Sequence, residues 1–410
     1  MGYFKQTVIS ISWVSAFRIA NRILSIVRTA ILARLLTPLQ FGDYGIAVMV
    51  LGLVEIFTET GINVFFVQQD DDNAISNYID TAWVISIIRG VAITAIVLIS
   101  SVPVSIFFND PAAKNLILIM ALVPFIRGFI NPAEAKFQKH LRFHQEFFLR
   151  TLVTLADAAA ALSIAYLYRT PMGLVCGLIA GAAVEVVVSQ LLIHPRPKFA
   201  FDASKGKEIV SSGKWITSAG VASYFATKGV DMSIGKLLST QSLGIFQMAY
   251  RFSILFVDEL VEMTNRVAFP VYMKIGGDRA RLQTAFLKMY VSFILTVGAL
   301  MTLVALFAKP IVAILLGPTW ADTTIYLQLL SMVGFALALA NTTNPLFLAV
   351  KKQNYLSHSV FCQLIVFVLL MIPTLQTPSL ERIILAFLGS IIASLPLRTY
   401  YAIKIFSKKN

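Results

Sequence analysis

Residues 33–44 read ARLLTPLQFGDY, and 202 positions later residues 235–246 read GKLLSTQSLGIF. The two segments share a basic residue (Arg34, Lys236), a pair of leucines (Leu35 and Leu36, Leu237 and Leu238), a hydroxyl (Thr37, Ser239), a glycine (Gly42, Gly244) and an aromatic ring (Tyr44, Phe246). The same offset pairs Trp13, Val14 and Ser15 with Trp215, Ile216 and Thr217. A fainter match at an offset of 212, KHLRF (139–143) with KKQNY (351–355), places a loop insertion between the two matches. One structural unit therefore occurs twice in this chain.

Composition fixes the solvent that the unit faces. The 410 residues are 57% hydrophobic and 13% charged, with a mean hydropathy of +0.77; soluble domains carry about a quarter of their residues as charges. A bilayer core requires about 20 mostly apolar helical residues. Twelve runs fit: 8–33, 42–67, 79–107, 112–133, 147–168, 172–193, 209–235, 242–270, 284–308, 321–349, 356–376 and 380–405. Six fall in each half, and because six is even both halves enter the membrane in the same direction. The expected fold is an all-α polytopic membrane protein of about twelve transmembrane helices. Its lobes, residues 1–196 and 209–410, form two parallel six-helix units around a central cavity that opens to either side in turn. A basic, proline-containing stretch, HPRPKFAFDASKGK (194–207), supplies the cytoplasmic linker, taken as residues 197–208.

Lys and Arg in the connecting loops set the orientation. With the N-terminus inside, 18 basic residues fall on the cytoplasmic side and six on the other, so both termini are expected in the cytoplasm. Residues 1–10 lead into a long helix without a cleavage pattern.

Several chemistries are excluded. Cys176 and Cys362 lie far apart in apolar runs, which builds neither a disulfide framework nor a CxxC site. His140 and His144 in HLRFH lack the glutamate of a zinc-protease helix, and no phosphate-binding glycine loop occurs. No catalytic residue, metal or cofactor is expected, and the basic charge, being placed by topology, calls for no nucleic acid.

Ten basic residues remain inside the spans, among them Arg18, Arg22, Arg28, Lys214, Lys228, Arg251 and Arg266. A charge at mid-bilayer normally faces a cavity or a partner. At 100° per residue, Arg18, Arg22, Ser25 and Thr29 share one face of the first helix, with Arg28 about 80° away. Lys214, Ser218 and Lys228 share a face of the seventh, and Arg251, Asp258 and Glu262 a face of the eighth, flanked by Glu259 and Arg266. Glu55 and Glu59 are paired one turn apart on the second. Eight acids against ten bases leave an excess of two positive charges, which an anionic substrate would absorb; arginines one turn apart suit a diphosphate. The competing reading is a set of static interhelical ion pairs, such as Glu55 or Glu59 with Arg18 or Arg22. Ion coupling, if present, needs buried acids, and Asp258, Glu262, Glu55 and Glu59 are the candidates.

The stretches ILARLLTPLQFGDYGIAVMV (31–50) and ETGINVFFVQQ (59–69), echoed by GKLLSTQSLGIFQMAYRF (235–252) and VAFPVYMKI (267–275), resemble the polysaccharide flippases of the multidrug/oligosaccharidyl-lipid/polysaccharide exporter superfamily. The resemblance covers nearly the whole chain. It implies a twelve-helix carrier of the bacterial cytoplasmic membrane that moves undecaprenyl-diphosphate-linked oligosaccharide outward for O-antigen, capsule or exopolysaccharide synthesis. It also implies a cationic lumen in which Arg18, Arg22 and Arg28 stand where the family's first-helix bases stand, and a polysaccharide polymerase and chain-length regulator as possible partners alongside membrane lipids. The alternatives are a multidrug or metabolite antiporter of the same fold, against which the many bases count, and a membrane glycan polymerase or ligase, whose large outer loop is missing.

Overall fold

The structure is a computed structural model that describes residues 20–58, 62, 65–66, 72–139 and 143–407. The side chains of 72–76, 138–139, 143, 210–223, 226, 256 and 266 lie outside that description. The described residues form helices and connecting turns. Two compact units divide the chain, Met1–Tyr224 and Phe225–Asn410.

In the first unit the described part of α1 is 20–35, followed by α2 (Pro38–Phe57), α3 (Asp72–Phe108), α4 (Pro111–Met120), α5 (Leu122–Arg127), a 3-10 turn at Pro132–Glu134, α6 (Ala135–Lys139), α7 (Phe143–Tyr168) and α8 (Met172–Leu192). The helix α9 (Ala203–Leu237) runs across the division between units. The second unit continues with α10 (Thr240–Ile275), α11 (Arg279–Leu306), α12 (Ala308–Leu315), a 3-10 turn at Pro318–Trp320, α13 (Thr323–Asn341), α14 (Asn344–Ala349), α15 (Gln353–Thr374) and α16 (Leu380–Ser407). Within the described residues each of the twelve expected spans coincides with a helical stretch, α4 with α5 and α13 with α14 each making one span from two pieces.

The repeat is legible in the helix starts. Thr37 caps α2 through a reciprocal pair with Gln40, and Ser239 caps α10 by accepting from the Ser242 amide. These hydroxyls satisfy amides that the first helical turn leaves unpaired, and they are equivalent positions of the two copies. Asp110 caps α4, and Asp322, its counterpart at the later offset, occupies the same position before α13. The insertion in the second copy lies just before that point: a short break, Asn109 and Asp110, separates α3 from α4, whereas α12 and a 3-10 turn separate α11 from α13.

Among the described residues, eight helical stretches are long and apolar enough to cross a bilayer by length and composition alone. The others are α1, described from Ala20 onward, the broken pair α4 and α5, and the charged helices α9 and α10. Polar faces lower the mean apolarity of the charged helices, as expected where a helix does not meet lipid all round.

Small residues set a close helix contact in the first unit. Gly173, Gly177 and Gly181 line one face of α8, one turn apart. A Cβ at Gly173 would lie 2.8 Å from the Ala165 amide nitrogen, and one at Gly177 would lie 2.8 Å from the Ala161 Cβ and collide with Asp157. In lipid no hydrophobic force draws helices together, so this close backbone approach holds α7 on α8.

The linker is docked. The Lys198 amide donates to Asp80 (2.8 Å), the Asp202 amide to Thr81 (3.2 Å), and Phe199 packs against Trp83 with ring centres 4.4 Å apart. Asp202 then accepts from the Ser204 and Lys205 amides and starts α9. Residues 203–208, read from sequence as linker, are thus the first turns of a helix.

Candidate functional site: the charged helix faces

Arg18 and Glu59 lie outside the described residues, as do the side chains of Lys214, Ser218 and Arg266. On α1 the exposed apolar row Ile23, Val27 and Ile31 faces away from Thr29, which is buried, and from Arg22 and Ser25, which are half-buried. The polar stripe is therefore the inward face of α1. Arg28 Nη2 reaches Asp157 Oδ1 of α7 at 2.8 Å, with both side chains largely buried. The Gly177 notch on α8 gives that aspartate its room. Asn21 adds a weaker link to Thr151, 3.4 Å away.

A second cluster joins several elements of the first unit. Arg150 of α7 forks between Glu185 of α8 and Glu134 of the 3-10 turn. Arg127 of α5 approaches Glu185 (3.9 Å) and Glu55 of α2 (3.7 Å), and Arg89 of α3 donates to the Glu55 carbonyl (2.9 Å). Burial lifts the Glu134 carboxyl from its ordinary 4.5 to about 7, opposed by Arg150 and reinforced by Glu185 and Glu146. Arg150 belongs to this network because it stands two turns into α7, which begins at Phe143.

Near the other end of the same unit, Gln40 donates to the Arg169 carbonyl (2.7 Å), and the carboxyls of Asp43 and Asp110 are in hydrogen-bonding contact. Both aspartates are buried, at 5% and 7% exposed. Asp43 and Arg150 both fall within the span limits, and counting the two together leaves the surplus of two positive charges unchanged.

In the second unit Lys228 bonds Asp231 of its own helix at 2.8 Å, and Asp231 also bonds Gln247 of α10. On α10 Arg251 and Asp258 are exposed and Glu262 is half-buried. Arg398 of α16, 5% exposed, donates to the Ala340 carbonyl (2.7 Å), Thr343 (3.1 Å) and Asn344 (2.9 Å), filling the break between α13 and α14. In the first unit Gln190 of α8 and Trp83 of α3 donate to the Phe129 carbonyl, in the turn that follows α5, at 2.8 and 3.2 Å. Among the described residues no group of three or more His, Cys, Asp or Glu could hold a metal ion.

These arrangements place charged groups inside helical units. The model of a family described as "Polysaccharide biosynthesis protein" matches residues 31–325. The lipopolysaccharide biosynthesis protein WzxC of Escherichia coli (strain K12) is 22% identical over 352 residues, 85% of this chain and 71% of that protein. The teichuronic acid biosynthesis protein TuaB of Bacillus subtilis (strain 168) is 23% identical over 395 residues, covering 92% and 78%. Among solved structures, the inward closed conformation of the lipid II flippase MurJ superposes with a TM-score of 0.80 at 15% identity, covering 96% of this chain and 89% of that one. At that identity the likeness establishes the fold.

Proposed function

Since the chain belongs to the polysaccharide biosynthesis protein family, matched over residues 31–325, we propose that it carries undecaprenyl-diphosphate-linked oligosaccharide repeat units across the bacterial cytoplasmic membrane for surface polysaccharide assembly. The family match is the observation that carries this reading. The fold shared with a lipid II flippase supports a carrier in place of an enzyme, and the names of WzxC and TuaB support a glycan cargo. On this reading the two parallel six-helix lobes alternate access, and both termini lie in the cytoplasm.

The bases on the helix faces, Arg18, Arg22, Arg28, Lys214, Lys228, Arg251 and Arg266, then attract the diphosphate. Guanidinium groups bind it bidentately. The leading role falls to Arg18 and Arg22 for their spacing, one helical turn apart on the polar stripe; Arg28 and Lys228 bond acids at 2.8 Å. A fluorescent lipid-linked oligosaccharide in proteoliposomes tests the proposal: the protein should move label between leaflets, and Arg22→Lys should retain part of a rate that Arg22→Ala loses. Transport of an organic cation with no movement of the lipid-linked sugar would replace this reading with a drug antiporter.

A further inference from the structure

At one end of the second unit a cavity of about 360 Å³ opens where five helix ends meet, those of α10, α11, α14, α15 and α16. Met273 comes from the end of α10, Arg279 from the start of α11, Lys352 and Tyr355 from the start of α15, and Lys404 from the last turn of α16. All these segments belong to loops or helix ends that the distribution of basic residues assigns to the cytoplasm. Three bases surround one small space, and Asp278, the nearest acid in sequence, is taken by Arg281 at 3.1 Å. Lys404 also lies over the Tyr400 ring, its Nζ 5.8 Å from the centroid.

Bases that serve topology alone point into water. Arg279 does so only in part: the side chain is half-buried, and its Nη1 is shielded from solvent and meets no hydrogen-bond acceptor. A shielded, charged donor without a partner is costly, and such groups in native structures are matched by something that accepts from them. The cavity sits at the lower end of the range for small-molecule sites, which begins at about 300 Å³. That space suits a head group, not a whole sugar repeat.

We propose that this cavity binds a phosphate group carried on a lipid, with Arg279, Lys352 and Lys404 as its cationic ligands and the Tyr355 hydroxyl as a further donor. The lipid is either an anionic phospholipid of the inner leaflet or the polyprenyl diphosphate that carries the sugar. With the phospholipid as occupant the site is independent of the proposed function; with the polyprenyl diphosphate it rests on that reading.

The test uses the full chain in nanodiscs of zwitterionic lipid, titrated with inorganic pyrophosphate and followed by thermal melting. The wild type should gain stability saturably, and Arg279→Gln with Lys404→Gln should weaken the apparent affinity about tenfold or more, the loss of at least one charge-assisted bond. Lys351→Gln, outside the cavity, should keep wild-type affinity. If the double variant melts early without ligand, Lys352→Gln, on an exposed side chain, replaces it and should weaken binding in the same direction. Competition by added phosphatidylglycerol identifies the phospholipid as occupant, and competition by polyprenyl diphosphate alone identifies the carrier lipid. Equal pyrophosphate affinity in wild type and cavity variants, or failure of both lipids to compete, would overturn the proposal.

Discussion

Arg28 of α1 and Asp157 of α7 stand 129 residues apart in sequence and 2.8 Å apart in space, and the glycine opposite them keeps the pair from being pushed open. Removing one partner of a buried pair leaves the other charge uncompensated, at a cost of about 3–5 kcal/mol. Arg28→Ala should therefore melt well below the wild type in detergent, and Arg28→Ala with Asp157→Asn should recover most of the loss. A double variant that folds normally yet fails to transport would give Arg28 a substrate role as well.

Gly177→Ala tests the helix contact directly. The new methyl meets Asp157 and the Ala161 Cβ, and overpacking of this kind costs about 1–3 kcal/mol. The variant should show lower melting temperature and yield, whereas Ala183→Leu on the exposed side of the same helix should be milder.

Glu134 makes stability depend on pH. Its carboxyl titrates at about 7 in the folded chain and near 4.5 when released, so the unfolded state sheds its proton first as pH rises. The folded state is favoured fully below pH 4.5 and progressively loses about 3 kcal/mol as pH climbs to 7. Melting curves should fall across that window, and Glu134→Gln should flatten them. A wild type whose melting temperature stayed constant from acid to neutral pH would contradict this.

Single-cysteine labelling in a chain lacking Cys176 and Cys362 should mark Ala112, Thr170 and Thr377 from outside intact cells. Gln138, Ser204 and Gly277 should label only after permeabilisation. Reaction at Ser204 from outside would invert the topology.

Coupling is tested at Asp258 and Glu262, which share a face of α10. Neutralising either, Asp258→Asn or Glu262→Gln, should uncouple transport from the ion gradient while substrate still binds. Transport that kept its normal dependence on pH and sodium in both variants would remove these residues from the coupling step.

Segments and repeat were readable because both depend on short-range pattern: apolar length and capping residues at fixed offsets. The Thr37 and Ser239 caps even preserve the spacing of the repeat. Partners were harder. Helical periodicity placed Arg28 beside a polar stripe but carried no information on α7, so its bond to Asp157 was not legible, and neither was the approach of Arg127 of α5 to Glu55, 3.7 Å away. The row Gly173, Gly177 and Gly181 was a signal present in the sequence and left unused. Asp43 was hidden for the opposite reason: a lone acid beside a helix start reads as a solvated cap, and only the fold brings Asp110 against it.

The lengths of α3 and α10 have a mechanical meaning. At about 1.5 Å per residue, their 37 and 36 residues make rods of about 55 Å, against about 30 Å of hydrocarbon. Prolines are where helices bend, and the interior ones, Pro103 and Pro270, lie in the last two turns of each rod. Most of each helix therefore behaves as a stiff lever longer than the membrane is thick. A tilt imposed where it projects into water is delivered undiminished to the opposite face, so a push on the rim of the protein is also a push on its far end.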